Sequence, residues 1–313
     1  MNWLFLRGRM VRHKECSWKT LEECTDMWTH LFSELVHKED FGAILYSNGK
    51  RNVTYRSNFV EEWINKFSRF ERSCWTPDVI VARGGFKEYV PLLKKYPKAK
   101  KVYYGANHGC IPEDNIKYDL ILCDSSDQVE KCTRKGLRGE LFFKPAAPQF
   151  KVLSLRKKYN AGFSAIWPND QRKRVSWVHE TAPRGMNILQ MGHACKTSGG
   201  ISVKYVDHKR MVKAINKCKV IILPYTKEDS CPRIISEALA CGVPVVRLSG
   251  GCHYWKERYG GWVVNTNKSR FWKTVKHVGK TADPNAIREY YDKYLSLRIA
   301  GDYLRSSIFP SNG

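Results

Sequence analysis

Apolar and polar positions follow two rhythms along this chain. Short, nearly continuous apolar runs recur at Trp3 to Leu6, Gly42 to Tyr46, Asp78 to Ala82, Lys101 to Tyr104, Asp119 to Cys123 and Glu140 to Phe143. Runs of that length fill buried parallel strands. Between them lie helical patterns. Ser17 to Val36 carries Trp18, Leu21, Met27, Leu31 and Leu35 at near-helical spacing, Phe59 to Phe67 reads as a second helix, and a third ends near Lys95. A second series of strands begins at Phe163 to Trp167. It continues through Asn187 to Met191, Ile201 to Val206, Val220 to Leu223, Val243 to Val246 and Trp262 to Val264. Two helices close the chain, Lys268 to Val278 with Gly279 as its stop, and Pro284 to Ser306. Strand alternating with helix predicts an α/β protein with parallel sheets covered on both faces.

The two series are separated by a break. Lys144-Pro145-Ala146-Ala147-Pro148 interrupts regular structure, and a basic polar stretch follows to Tyr159. The pattern therefore divides into 1–150, 151–280 and a terminal helical segment 281–313. At 313 residues the chain is long enough for two domains, each with its own core.

The richest stretch runs from Val220 to Gly261 and reads as strand, loop, helix, strand. After the strand comes a polar loop, Thr226 to Ser230. Pro232 falls in the first turn of a helix, with Asp229 or Ser230 as its cap. Ile234, Ile235, Ala238 and Leu239 share one helical face, and Gly242 with Pro244 stops the helix. A helix opening at the carboxyl end of a strand is where open α/β sheets bind ligands and where phosphates are attracted. Glu237 is a lone acid among small residues, Ala238, Ala240, Cys241 and Gly242. A carboxylate one turn into such a helix suits two hydrogen bonds from a ribose diol; its alternative is a place on a solvated face.

This segment resembles the donor-binding signature of the family 4 glycosyltransferases of GT-B fold: an acid, seven residues, a second acid, then EALACGVPVV and a Gly-Gly turn. Ser236 to Val246 matches almost residue for residue, Gly250-Gly251 matches the turn, and Gly260-Gly261 to Val264 resembles the closing element. The resemblance implies two Rossmann-like domains facing a cleft, a metal-independent retaining transfer, and Glu237 on the ribose of a nucleotide sugar. The first acid falls on Asp229, with Glu228 beside it, where the family has Glu. Cys231-Pro232-Arg233 replaces a Gly-rich run, so Pro232, Arg233 and Ile234 are donor-side candidates of altered detail. The family also grips the donor diphosphate with an Arg and a Lys, for which Arg172 and Lys173 are the matches in Gln171-Arg172-Lys173-Arg174. Three positive charges at a helix start oppose its dipole unless an anion sits there. A family His that lines the sugar matches His108, with Asn107 the near alternative. The glycine loop Gly8-Arg9 matches a loop that approaches the donor. Arg83-Gly84-Gly85 is a glycine turn at a strand's carboxyl end, an acceptor-side candidate or a tight connection.

Composition constrains partners. The chain holds 54 Lys and Arg against 30 Asp and Glu, a net charge of +24, of which residues 151–313 hold 29 basic and 11 acidic side chains. That surplus exceeds what one diphosphate needs and points to a polyanionic partner. Arg247, His253, Tyr254, Trp255, Lys256, Arg258 and Tyr259 mix cations with aromatic rings, a blend suited to phosphate contact and base stacking. The reading that follows is sugar transfer from a UDP-linked donor, with no further cofactor, to a hydroxymethylated pyrimidine of duplex DNA, as in phage DNA modification. Two alternatives stand beside it: a lipid-linked or cell-surface glycan acceptor at the inner membrane face, and an inactive nucleic-acid-binding protein on the same fold. The helix from Ser17 to Val36 carries Glu22, Glu23, Asp26 and Glu34, which repel anionic lipid. No D-x-D motif occurs, no apolar run approaches the roughly eighteen residues of a membrane span, and Asn2 to Leu6 is too short for a secretory leader. Eleven scattered cysteines without C-x-x-C pairs read as reduced thiols in a cytoplasmic protein.

Overall fold

A computed structural model of the protein describes residues 1–7, 26–36, 40–47, 52–57, 63–64, 76–83, 89–105, 112, 115–165, 171–192, 201–204, 208–226, 232–249 and 256–310. The chain forms two α/β units, one of Met1–Phe142 with Ala300–Gly313 and one of Phe143–Ile299.

The first unit holds strands β1 (Asn2–Arg7), β2 (Phe41–Ser47), β3 (Asn52–Ser57), β4 (Trp63–Ile64), β5 (Val79–Arg83), β6 (Lys100–Tyr104), β7 (Leu120–Cys123) and β8 (Gly139–Leu141). They form one sheet in the order β4-β3-β2-β1-β5-β6-β7-β8. Helices α1 (Met27–Leu35), α2 (Val90–Lys95) and α3 (Ser126–Arg134) pack on it. β1 is central and fully buried: Trp3, Leu4, Phe5 and Leu6 are each 0% exposed, as a strand covered on both faces requires. Asp26 caps α1 by accepting the Thr29 N–H at 3.1 Å, and Phe32 of that helix stacks on Phe5 at 4.3 Å.

Two expectations fail here. Residues 63 and 64, placed in a helix by the sequence pattern, form a strand instead, and β3 was not foreseen. β3 runs antiparallel to β2 and β4 antiparallel to β3, extending the parallel sheet at its β2 edge. The backbone hydrogen bonds to β2 and β3 outweigh a helical pattern too short to hold alone.

The second unit holds β9 (Ala161–Ser164), α4 (Val175–Thr181), β10 (Ile188–Met191), β11 (Ile201–Lys204), α5 (His208–Asn216), β12 (Ile221–Leu223), α6 (Ile234–Ala240), β13 (Val245–Leu248), β14 (Val263–Thr266), α7 (Phe271–Thr281) and α8 (Pro284–Tyr294). Its six strands are all parallel, in the order β11-β10-β9-β12-β13-β14. Counted within the unit, that is 3-2-1-4-5-6, the doubly wound order whose direction reverses between β9 and β12.

The closing helices differ from expectation twice. Gly279 does not stop α7, which runs to Thr281; its missing side chain admits Val220, whose Cγ2 would stand 3.1 Å from a Cβ there. The expected single helix from Pro284 to Ser306 is two, α8 and α9 (Leu297–Ile308), because Leu295 leaves the helical backbone (φ −130°, ψ 0°) and buries fully.

From Ala300 onward α9 belongs to the first unit. Arg305 donates to the Leu35 carbonyl and to Asp40 Oδ2, both at 2.8 Å, and Trp3 Nε1 donates to the same carboxylate oxygen at 3.3 Å. Lys100 and Arg138 donate to the carbonyls of Ile308 and Ser307. Removing one member of such a buried pair strands the other. Arg305→Ala should therefore cost about 3 kcal/mol of unfolding free energy, read as a lower urea midpoint with the second unit's probes unshifted.

The described cysteines, Cys123, Cys132, Cys218 and Cys241, are buried free thiols. Burial pushes the Cys218 and Cys241 thiols from 9.0 up to about 12. The folded chain thus keeps protons that the unfolded chain loses above pH 9, so stability falls as pH rises beyond that value. At pH 8 iodoacetamide should leave Cys218 and Cys241 unlabelled until urea unfolds the protein, as peptide mass mapping would show. Fast native labelling of either would contradict the buried thiol geometry.

Candidate functional site

The order reversal in the second sheet is where a crevice opens at the carboxyl ends of β9 and β12. β9 and β12 pair only through Gly162 and Ile221, so the backbone of Ser164 needs a partner beyond the ladder. Tyr225, two residues past β12 and 0% exposed, supplies it. Its hydroxyl donates to the Ser164 carbonyl at 2.6 Å and accepts the Ser164 N–H at 3.2 Å.

The basic run enters at this point. Gln171–Lys173 is a single 3-10 turn leading into α4. Lys173 Nζ sits 3.7 Å from the centroid of the Tyr225 ring, a cation held on an aromatic face. Thr226 N–H donates to the Arg172 carbonyl at 2.7 Å, and Arg174 Nη1 donates to the Pro224 carbonyl at 3.2 Å. Arg174 adopts a left-handed backbone (φ 48°, ψ 45°), the one non-glycine residue to do so among those described. Such conformations cost on the order of 1–3 kcal/mol and cluster at functional sites. The stretch after β12 is thus stitched to the turn before α4, and Arg172 and Lys173 share one place with Tyr225.

α6 follows β12 on the other side of the crevice. All seven of its residues are buried. It begins at Ile234, with Arg233 at the cap position and no side-chain cap. Pro232 lies just ahead of the helix, not inside it: its carbonyl accepts the Ile235 N–H at 3.1 Å. Arg233 is exposed, whereas Pro232 and Ile234 are buried. The far end closes as expected at Gly242 (φ 65°), where Val243 N–H reaches the Ala238 carbonyl at 2.9 Å and Gly242 N–H reaches Leu239 at 3.0 Å. The last free carbonyl, Ala240, is taken by Arg288 Nη1 at 2.7 Å, and Ser236 Oγ donates to the Lys144 carbonyl.

Glu237 stands in the first turn of this fixed helix. It is 7% exposed, and its carboxylate makes no hydrogen bond or ion pair with any described residue. A carboxylate that the described residues leave without a donor can accept hydrogen bonds from a ligand.

The remaining candidates fall elsewhere. Arg83 ends β5 in the first unit, level with Arg7 of β1. Its guanidinium lies 5.1 Å from the Trp28 ring, and its Nε is buried without a partner, as is Trp28 Nε1. Tyr104 of the neighbouring strand donates to Asp124 at 2.7 Å. Arg258 is half-buried, packed over the Phe143 ring at 4.3 Å, and its carbonyl accepts from Tyr290. Lys256 begins the 3-10 stretch Lys256–Trp262. Gly8, Arg9, Gly84, His108, Glu228, Asp229 and Trp255 lie outside the described residues.

Sequence reasoning missed Tyr225, Arg174 and Arg288. The only signal for Tyr225 was its place just past a strand at the reversal. Arg288 carried none, since it reaches Ala240 across 48 positions.

No protein-family model matches the sequence, and no curated protein matches it. Solved structures do match in three dimensions. A glycosyltransferase from Rickettsia africae ESF-5 superposes with a TM-score of 0.66 at 10% identity, covering 99% of both chains. Sucrose-phosphate synthase from Thermosynechococcus elongatus gives 0.64 at 11% identity and 97% of both. The lipopolysaccharide outer core galactosyltransferase WaaB gives 0.57 at 13% identity and 99% of both. At such identities the likeness is one of fold, and across nearly the whole chain that fold is GT-B, with two Rossmann-like α/β units.

Proposed function

We propose that this chain transfers a sugar from a nucleotide-sugar donor held by its second unit. The observation that carries the proposal is Glu237 in the helix that follows β12, a largely buried residue whose carboxylate makes no hydrogen bond or ion pair with any described residue. A ribose diol offers the two hydrogen-bond donors that this carboxylate lacks. The donor diphosphate then meets Lys173 and Arg172 at the mouth of the crevice. As the bond from anomeric carbon to phosphate oxygen breaks, through an oxocarbenium-like transition state, charge accumulates on the leaving diphosphate. Cations fixed in place before the reaction stabilise it with little reorganisation. The nucleotide is read as UDP, with no further cofactor and no metal. In this reading Asp229, with Glu228 beside it, takes the sugar hydroxyls, and His108, Gly8 and Arg9 are the further sugar-side candidates that the resemblance names. Retention of configuration follows from the resemblance of Ser236 to Val246 to family 4.

The acceptor we propose is a hydroxymethylated pyrimidine in duplex DNA, in a cytoplasmic setting. The concentration of basic charge in residues 151–313 supports it, as does Arg83, whose buried Nε has no partner at the carboxyl end of β5. Gly84, Trp255, Lys256 and Arg258 are the other acceptor-side residues of this reading, with the target base swung out of its stack. A second reading, a glycan or lipid-linked acceptor, is favoured by the fold-level likeness to WaaB, whose name gives lipopolysaccharide as its target.

Glu237→Gln should weaken binding of UDP-glucose or its cognate analogue by about 1–3 kcal/mol, while the unliganded protein keeps its stability, because the substitution breaks no hydrogen bond or ion pair with a described residue. Titration calorimetry and thermal melts read the two together, and unchanged donor affinity would place the ribose elsewhere. Transfer of labelled sugar from a panel of nucleotide sugars tests the acceptor. Label is expected on duplex DNA containing 5-hydroxymethylcytosine or 5-hydroxymethyluracil, and not on unmodified DNA. Label on lipid extract instead would establish the second reading, and neither transfer nor donor hydrolysis with any donor would leave only a binding protein.

A further inference from the structure

Residues 267–281 of the second unit carry Lys268, Arg270, Lys273, Lys276 and Lys280 and no carboxylate. None of the five forms an ion pair, and all five are exposed. Helix α7 divides cleanly. Phe271, Val275 and Val278 are buried, and Lys273, Lys276 and Lys280 project from the opposite face. At about 1.5 Å per residue those three amines are spread over roughly 10 Å of helix. No acid stands in the first turn and no side chain caps it, so Lys268, Arg270 and Lys273 oppose the helix dipole.

The array is rigid. Trp177 of α4 stacks on Trp272 of α7 at 6.2 Å and 10°, and Trp272 Nε1 donates to Thr181 Oγ1 at 3.2 Å. These contacts bind α4, to its last residue, to the first turn of α7. α4 itself begins directly after Lys173 and Arg174, so the helix that braces α7 is the one that the basic turn leads into. The tryptophans are spent on each other and are not free to insert into a bilayer. Among described residues the exposed large apolar side chains are Met1, Val152 and Tyr294, none of them on α4 or α7. A lipid surface is held by an apolar face as well as by charge, and here the apolar face of α7 is consumed by the unit's own core. A duplex asks only for spaced cations, because it presents a phosphate charge about every 1.7 Å along its axis.

We propose that the outer face of α7, continued by Lys268 and Arg270, is the surface on which duplex DNA rests its phosphate backbone while a base is modified. The proposal rests on the reading of DNA as acceptor. Backbone contacts of this kind position the duplex and carry no sequence information.

The test is anisotropy binding of a 30-base-pair duplex across a salt series. It compares the full chain with K273E/K276E/K280E and with R210E/K213E/K217E on helix α5 and the residue just after it. The α7 variant should lose roughly tenfold or more in affinity, uniformly across sequences, and its salt slope should fall by about 3. Its affinity for UDP-glucose should stay unchanged, and the α5 variant should bind DNA as the parent does. Equal loss in both variants, or an unchanged slope in the α7 variant, overturns the docking face. So does parent binding to phosphatidylglycerol vesicles with none to DNA. If the parent glycosylates hydroxymethylated duplex and the α7 variant does so with the same KM, the docking face alone falls. If the parent neither binds nor modifies DNA, the acceptor reading falls with it.

Discussion

The second unit depends on how its sheet is held where the strand order reverses. A parallel ladder ends there, because β9 and β12 send their chains to opposite faces and share only the Gly162–Ile221 pair. The backbone of Ser164 is half-buried, and its N–H and carbonyl each call for a partner. One hydroxyl, that of Tyr225, meets both needs. The same ring then serves as the seat for the Lys173 ammonium. A single side chain therefore satisfies the end of the sheet and fixes a cation at the mouth of the crevice, and neither task could move without the other.

Glu237 stands in the first turn of α6, the helix that follows β12. α6 is short and would not stand alone, so its ends are secured from outside the helix. Arg288 takes the Ala240 carbonyl, the backbone turns back at Gly242, and Ser236 binds the Lys144 carbonyl. Contacts thus fix the helix on both sides of Glu237, whose carboxylate makes no hydrogen bond or ion pair with a described residue.

Much of this was legible in the chain. The motif from Ser236 to Val246 set out helix, stop and strand because each depends on neighbours a few positions apart. Glu237 stood out as a polar residue where packing called for none. What was not legible depended on distant partners. β3 and β4 exist by pairing with β2 and with each other; the local cue, Asn48-Gly49 between β2 and β3, carries a hairpin preference that the expectation of a uniformly parallel sheet overrode. The break at Leu295 reflects a buried pocket for that side chain, not a Gly or Pro in the sequence. Gly279 read as a stop because a helix glycine usually costs stability; here its lack of a side chain makes room for Val220 of another element. Tyr225 and Arg288 act through backbone groups that no pattern of residue types reveals.

Charge, in contrast, is written in composition but becomes informative only when placed. A net of +24 alone says little beyond affinity for polyanions. The structure sorts those cations. Arg288 and Arg305 are consumed by carbonyls and carboxylates inside their units. Arg258 is folded onto Phe143, and Lys173 onto Tyr225. Lys273, Lys276 and Lys280 have no such employment, and they stand on the solvent face of a helix whose other side is fully packed. Like charges kept together without counter-ions repel one another and lower stability. On the proposal that the acceptor is a duplex, their alignment on the solvent face of α7 is what offers its phosphates spaced cations.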